Sequence, residues 1–245
     1  MASVQKFHAV AVCQEIRHNH RLNETTSNPD IDFNKSENND YSLTPNHEGM
    51  FPYDYYRARL KELYIYDPRR TDINTAFGWV VSLPREITNL NEEKQFFHCV
   101  ADFLNERYRS ENTISITIHR DEGGQPHLHY LGIPAVPNNM KNEQHPQDEK
   151  LSCKEVINRQ ELRAFHADLQ NYIRSHGICA QVYTGVTAGH NRSVAEMKRD
   201  TLADLRAEVK RLQGIERKYN ELLREINHPG ENRWDRHPDN SRERK

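Results

Sequence analysis

Residues 113–133 read TISITIHRDEGGQPHLHYLGI, and this stretch decides the fold. Segment 113–119 alternates β-branched isoleucine with small polar residues, the period of a half-buried strand. Segment 120–126, RDEGGQP, carries two glycines and a proline, the chemistry of a turn. Segment 127–133 resumes as a short apolar run. The pair predicts a β-hairpin with a loop longer than the tightest turns. Side chains two apart on a strand share a face, so His127 and His129 project together while Leu128 turns to the core. His119 ends the neighbouring strand and reaches the same spot. Three imidazoles converging from adjacent strands leave room on a bound cation for water and substrate, as a catalytic metal site does. Asp121 or Glu122 would complete that shell, or orient a ligating ring through its second nitrogen. Imidazole donors suit Mn, Fe, Co, Ni or Zn better than Mg. Three packed, hydrogen-bonded strand histidines are the competing explanation, but neutral imidazoles gain little by facing one another.

Working outward, residues 8–16 (HAVAVCQEI) alternate and predict a first strand. Residues 17–50 are rich in Asn, Asp, Ser, Thr and His and predict a long loop, with a short extended piece near Tyr41 and Leu43. Loops of that length inside a compact domain are usually functional or disordered. Residues 53–66 predict a helix with a tyrosine-rich face, and 77–83 a buried strand. Residues 91–108 hold Phe96, Phe97, Val100, Phe103 and Leu104 at helical spacing, with Asn91 as the expected cap. Ser152 is expected to cap a helix running to Arg174 and stopped by Gly177. Residues 178–184 predict a last strand. Ser193 and Glu196 form a capping-box pair at the head of a charged helix reaching Ile226. Its apolar positions Leu202, Leu205, Val209, Leu212, Tyr219, Leu223 and Ile226 follow the 3–4 alternation of a coiled coil, interrupted by Glu216. The fold class expected is α+β: an antiparallel sheet with flanking helices, plus a C-terminal charged helix. The chain divides into a catalytic domain at 1–192, a helix at 193–226 and a polar tail at 227–245.

Composition limits the function classes. Hydrophobic residues make up 35% of 245 and the mean hydropathy is -0.98. No apolar run approaches the roughly 20 residues of a membrane span. The opening MASVQKFHAVAV lacks the long apolar stretch of a secretory leader. The 4 cysteines are scattered, which argues against a disulfide scaffold or a cysteine zinc site and fits a reducing cytoplasm. Net charge is -2, although residues 190–245 hold 14 Lys+Arg against 11 Asp+Glu. A protein holding DNA by charge alone would be more basic. Either nucleic acid is not the partner, or the site brings its own cations. The 14 histidines are unusually many.

A second constellation, His18-Asn19-His20-Arg21, precedes the polar stretch. Arginine suits bidentate phosphate contact, and Asn can donate to backbone oxygens. A histidine beside a metal can be a ligand, a base or a nucleophile.

Together these segments resemble the MobV (Mob/Pre, plasmid recombination enzyme) family of plasmid mobilisation relaxases. HNHRLNETTSNPDID is similar to the family's HNxR…SNxDI, NNDYSL to its NYxL, and HRDEGGQPHLH to its HxDExxPHxH. LSCKEVINRQELRAFHADLQ also has the family's look, so the resemblance covers roughly residues 8–200. One departure is visible: three residues separate Glu122 from Pro126 where the pattern has two. The resemblance implies an HUH-type relaxase in the bacterial cytoplasm, which nicks and rejoins one DNA strand at an origin of transfer. It implies His18 as nucleophile through a 5′-phosphoryl-histidine intermediate, with Arg21 and Glu122 as further catalytic residues. His119, His127 and His129 would be the metal ligands, the ion being Mn2+, with Mg2+ or another divalent ion as the variants. The resemblance implies that Tyr41 and Tyr108 contact single-stranded or hairpin origin DNA; the donor chemistry of Asn19 and Arg21 adds these two, and the modest charge predicts a shallow salt dependence. His20, Tyr53, Tyr55 and Tyr56 are the rival nucleophiles. A homodimer through the C-terminal helix is the expected self-association.

Three other readings compete. One is a metal-dependent nuclease that only hydrolyses. Another is a replication initiator of HUH type, whose usual nucleophile is tyrosine. The third is a non-catalytic metal-containing DNA-binding protein. A metalloprotease is poorly supported, because there is no HExxH and the HxH lies on a predicted strand.

Overall fold

The computed structural model describes residues 2–23, 28, 30–183 and 194–227. The chain forms two units, Met1–Val186 and Thr187–Lys245. The first is built on a four-stranded antiparallel sheet of β1 (Ala2–His8), β2 (Asn74–Ser82), β3 (Thr113–His119) and β4 (His127–Gly132), in the order β1-β2-β4-β3. Helices α1 (Ala9–Asn19), α2 (Pro52–Glu62), α3 (Leu90–Tyr108), α4 (Cys153–Val156) and α5 (Arg159–Ser175) flank it. A short hairpin, β5 (Ala135–Pro137) with β6 (Glu149–Leu151), completes the unit. The fold is α+β, as the sequence predicts.

The two faces of the sheet are packed differently. Trp79, Val81, Ile116, Ile118, Leu128 and Tyr130 meet Phe96, Phe97, Val100 and Leu104 of α3 and Phe165, Leu169 and Ile173 of α5. Trp79 stacks flat on Phe165 with ring centres 3.5 Å apart. The other face carries Phe7, Ala76, Ile114 and Leu131 against Val12 and Ile16 of α1 and Tyr56 of α2. A bulge between Thr113 and Ser115 turns Ile114 to this second face. His127 and His129 alternate with Leu128 and Tyr130, so they share the α1 side with Leu131.

Strand β3 would be an open edge, and its seven residues are all buried. The polar stretch after α1 covers it. Asp40 exchanges two backbone hydrogen bonds with Ile118, at 2.9 and 2.8 Å. Thr44 Oγ1 donates to the Ile116 carbonyl at 2.7 Å, and Asp32 N donates to the Asp121 carbonyl at 2.8 Å. The expected loop is therefore a cover for a strand edge, which would otherwise recruit other chains.

Several sequence expectations are corrected. The first strand is Ala2–His8, and residues 9–19 are helical. Val12, Ile16 and Asn19 are its buried positions, a spacing of four and three that the alternation at 9–12 conceals. The cap of α3 is Asn89, whose side chain accepts from Glu92 N, and not Asn91. The helix expected from Ser152 is broken at Ile157, and Asn158 caps α5 by accepting from Glu161 N. Gly177, at φ +77, follows the end of α5. Residues 178–183 form no strand, because Gln170 takes their backbone groups: its amide donates to the Ala180 carbonyl and accepts from Val182 N. In the second unit α6 runs from Val194 to Asn227, with Leu202, Leu205, Val209, Leu212, Ile215, Tyr219 and Leu223 exposed along it. Ser193, Thr184 and the tail from 228 onward lie outside the described residues.

Gly132 tests the packing of the sheet. A Cβ there would stand 2.7 Å from Tyr130 Cε1 and 2.8 Å from its hydroxyl, inside a buried core. Gly132→Ala is expected to lower the unfolding free energy by about 1–3 kcal/mol through overpacking, read from a urea titration.

Candidate active site

The hairpin register brings the histidines together. His119 pairs with His127 and Thr117 with His129, so the imidazoles sit at one end of adjacent strands and on one face. Ring centres of His119 and His129 are 4.4 Å apart, and those of His127 and His129 are 4.9 Å apart. Helix α1 runs along the same face and ends beside them. Its His18 ring lies 5.6 Å from His119 and 5.7 Å from His129. Donor atoms of His18, His119, Glu122 and His129 all lie within 4.8 Å of one another. His127 stands at the rim, its Nε2 3.8 Å from Glu122 Oε2.

Arg21 locks α1 to the hairpin turn. The chain leaves the helix with Arg21 at φ 52, a left-handed conformation that folds its side chain back under the site. Its Nε donates to Asp121 Oδ2 at 2.8 Å and its Nη2 to Asp121 Oδ1 at 2.6 Å, a bidentate pair. Nη2 also donates to Glu122 Oε1 at 2.6 Å and approaches His119 Nδ1 at 3.1 Å. The Arg21 side chain is 6% exposed and that of Asp121 0%. Asp121 further accepts from Ser36 Oγ at 2.5 Å and Asn39 Nδ2 at 2.8 Å. One carboxylate thus joins α1, the covering loop and the turn.

The electrostatics keep three of the imidazoles neutral. Burial, with the Arg21 guanidinium beside it, pushes His18 down to about 4 against the opposing charge of Glu122. Burial and the facing His119 and His127 hold His129 well below the usual imidazole range. Burial also lowers His127. Near neutral pH these three rings offer lone pairs to a cation or a phosphorus. Burial works to raise Glu122, but hydrogen bonds from His119 and Arg21 prevail and hold it at about 2. Burial likewise opposes the ionisation of Asp121, and Arg21, Ser36 and Asn39 overcome it, keeping this carboxyl well below the carboxylate range.

The donor set suits a divalent metal. His119 Nε2 meets the Asn19 carbonyl at 2.9 Å and His127 Nδ1 meets the Gln125 carbonyl at 3.1 Å. His127 therefore has Nε2 free for the site, while His119 turns Nδ1 into it beside Arg21 Nη2 and Glu122 Oε1. His129 Nε2 is buried without a hydrogen-bond partner among the described residues, a cost that a cation would remove.

The remaining sequence candidates fall as follows. Tyr41 is half-buried and stacks on His20, ring centres 5.5 Å apart, beside Phe51. His20 thus faces an aromatic group next to the site while His18 faces the other imidazoles. Asn19 is buried on the inner side of α1, so its side chain is not available to DNA; it contributes the carbonyl that orients His119. Tyr108 is also corrected: it is a core residue. Trp79 Nε1 donates to its hydroxyl, which donates to Glu161, in the core between the sheet and α5. Tyr56 bonds Thr75 in the core, Tyr55 donates to the Glu111 carbonyl, and Tyr53 packs near Tyr56. Sequence reading missed Ser36 and Asn39 as anchors of the turn. The only signal for them is their polarity within a stretch that is polar throughout.

A family model described as plasmid recombination enzyme matches residues 1–199. A plasmid recombination enzyme of Bacillus thuringiensis is 28% identical over 214 residues, covering 86% of this chain and 44% of that protein. One from Streptococcus agalactiae is 27% identical over 214 residues, covering 84% of this chain and 40% of its own length. The chain thus spans less than half the length of these relatives. Among solved structures, the Mn-bound MobM relaxase domain in complex with plasmid pMV158 oriT DNA is similar, with a TM-score of 0.63 at 25% identity, covering 82% of this chain and 97% of that one. A second Mn-bound structure of that domain gives 0.64 at 24% identity.

The Asp121 anchor has a measurable consequence. A carboxyl depressed in the folded state contributes stability above its unfolded pKa of about 3.9, and that stability is lost as pH falls through the folded value. Asp121→Asn is expected to cost about 3–5 kcal/mol at pH 7, since it leaves Arg21 short of its buried partner. It should also flatten the loss of stability below about pH 4, read from denaturant titrations across pH 2–7.

Proposed function

The chain belongs to the plasmid recombination enzyme family, and from that premise we propose that it is a mobilisation relaxase, cutting and rejoining one DNA strand at an origin of transfer. The observation that carries this reading is the convergence of His18, from α1, with His119, Glu122 and His129 of the hairpin, within 4.8 Å. A structural metal site needs no imidazole from a separate element that is itself partly open to solvent. The His18 side chain is 30% exposed and neutral near pH 7, as a nucleophile must be.

His119, His127 and His129 would hold the cation, which we take to be Mn2+, with Glu122 as a fourth ligand or as the group that orients one of them. When bound, such an ion would supply positive charge to the non-bridging oxygens of the scissile phosphate. His18 attacks phosphorus in line. The N–P bond forms as the P–O3′ bond breaks, leaving a 5′-phosphoryl-histidine and a 3′ oxygen that takes up a proton. That proton is the one the attacking ring gives up, and Glu122 Oε1, 3.5 Å from His18 Nε2, stabilises the positive charge on the ring before it leaves. Attack by the 3′-hydroxyl on the adduct reverses every step, so the strand is rejoined without an energy donor. Arg21 holds Glu122 and Asp121 in register and adds positive charge beneath the phosphate. Tyr41, stacked on His20 at the end of α1, offers a face to a neighbouring base. The protein acts in the bacterial cytoplasm on origin DNA in single-stranded or hairpin form. Its helix α6, with an exposed 3–4 apolar stripe, pairs with that of a second copy.

Three measurements test this. His18→Ala should abolish the covalent protein–DNA product on a denaturing gel, by at least 1000-fold, while origin binding in a mobility-shift assay persists; an adduct of normal yield would remove His18 from the role. His127→Ala should lose Mn2+ binding and nicking together, and full nicking would refute its ligand role. Light scattering should show the full chain at twice the protomer mass and the chain truncated near Ser193 as a monomer; equal masses would refute pairing through α6.

A further inference from the structure

Two of the three sheet imidazoles have their second nitrogen committed to a backbone carbonyl, His119 to Asn19 and His127 to Gln125. His129 does not: with the buried Nε2 given to the cation, its Nδ1 also makes no hydrogen bond to a described residue. A ligating histidine whose other N–H has no acceptor is free to rotate and is a poorer donor to the metal. The sheet face beside His129 encloses a cavity of about 110 Å3, lined by Gln5, Phe7, Gly78, Val80, His129 and Glu15. That volume accommodates water, and the cavity has the polar walls that hold it.

Glu15 lies on α1, one turn before His18. It makes no ion pair and no direct side-chain hydrogen bond among the described residues, although it is half-buried. A carboxyl turned into a cavity without a cation is costly unless something there uses it. Burial, with the charge of Glu122 nearby, raises it to about 7. Among the described residues it is the one carboxylate lining this cavity, and His129 is the one imidazole.

We propose that Glu15 is the positioning residue for His129: through water in this cavity it accepts the imidazole N–H turned away from the cation, fixing the tautomer and the ring orientation of that ligand. The inference rests on the metal-site reading above and adds to it a carboxylate–histidine pair, supplied by the same helix that carries His18. One helix would then set both the attacking ring and the third metal ligand.

The test is Mn2+ affinity of the full chain at pH 8, measured by titration with electron paramagnetic resonance detection of free Mn2+, alongside thermal unfolding of the metal-free protein. Glu15→Ala is expected to bind Mn2+ about 10–100-fold more weakly, the usual cost of removing such a partner, with metal-free unfolding unchanged or shifted upward. Glu15→Gln, which keeps an oxygen acceptor, is expected to recover most of the affinity. Glu15→Ala binding within twofold of the wild type would overturn the proposal, and so would Glu15→Gln as weak as Glu15→Ala. If the wild type binds no Mn2+, or if His129→Ala binds as well as the wild type, the metal-site reading itself fails, and the proposal with it.

Discussion

The buried pair of Arg21 and Asp121 is the constraint on which the site depends. Residues 18–21 and 119–122 are about a hundred positions apart in the chain, and nothing local brings them together. The guanidinium does so with two parallel hydrogen bonds to Asp121 and a third to Glu122. Taking both charges out of water is expensive, and the pair survives because Ser36 and Asn39 satisfy the remaining lone pairs of Asp121. A pair of this kind contributes little net stability over an apolar replacement. What it supplies is position: Val12 and Ile16 seat α1 on the sheet face, and the pair fixes the end of the helix over the hairpin turn, so that His18 lies beside the sheet imidazoles.

Once α1 is held there, the sheet does the rest. The period of two puts His127 and His129 on one side of β4, and the antiparallel register sets His119 opposite His127. The other side of the same strands is filled by Trp79, Tyr130 and the phenylalanines of α3, a rigid aromatic layer. The imidazoles therefore stand on a floor that cannot easily deform. Burial, with the neighbouring positive groups, keeps His18, His127 and His129 neutral, the protonation state that both metal ligation and nucleophilic attack require. The covering loop serves two ends, shielding the β3 edge and delivering Ser36 and Asn39 to Asp121.

Much of this was legible in the sequence, and the failures have physical causes. The hairpin could be read because alternation and turn chemistry act over a few residues, and β3 spans Thr113–His119 as expected. Helix α1 could not, since Ala9-Val10-Ala11-Val12 satisfies a strand's period while the longer spacing of Val12, Ile16 and Asn19 satisfies a helix. That one error hid two further facts. A strand at residues 8–16 leaves Asn19 in a loop, open to DNA, and conceals the one-turn relation of Glu15 to His18. The burial of Tyr108 depends on Trp79 and Glu161, partners that no local pattern announces. The contacts of the polar stretch to β3 are likewise between residues tens of positions apart.

The central claim is that the imidazole of His18, and no other side chain, takes the phosphoryl group. Its most direct measurement is tandem mass spectrometry of the tryptic peptides formed after the full chain, with Mn2+, reacts with an origin oligonucleotide. The expected product is a nucleotide linked through phosphorus to the first residue of the peptide His18-Asn19-His20-Arg21. Attachment at His20 or at any tyrosine, or a cleaved strand with no attached peptide, would contradict it.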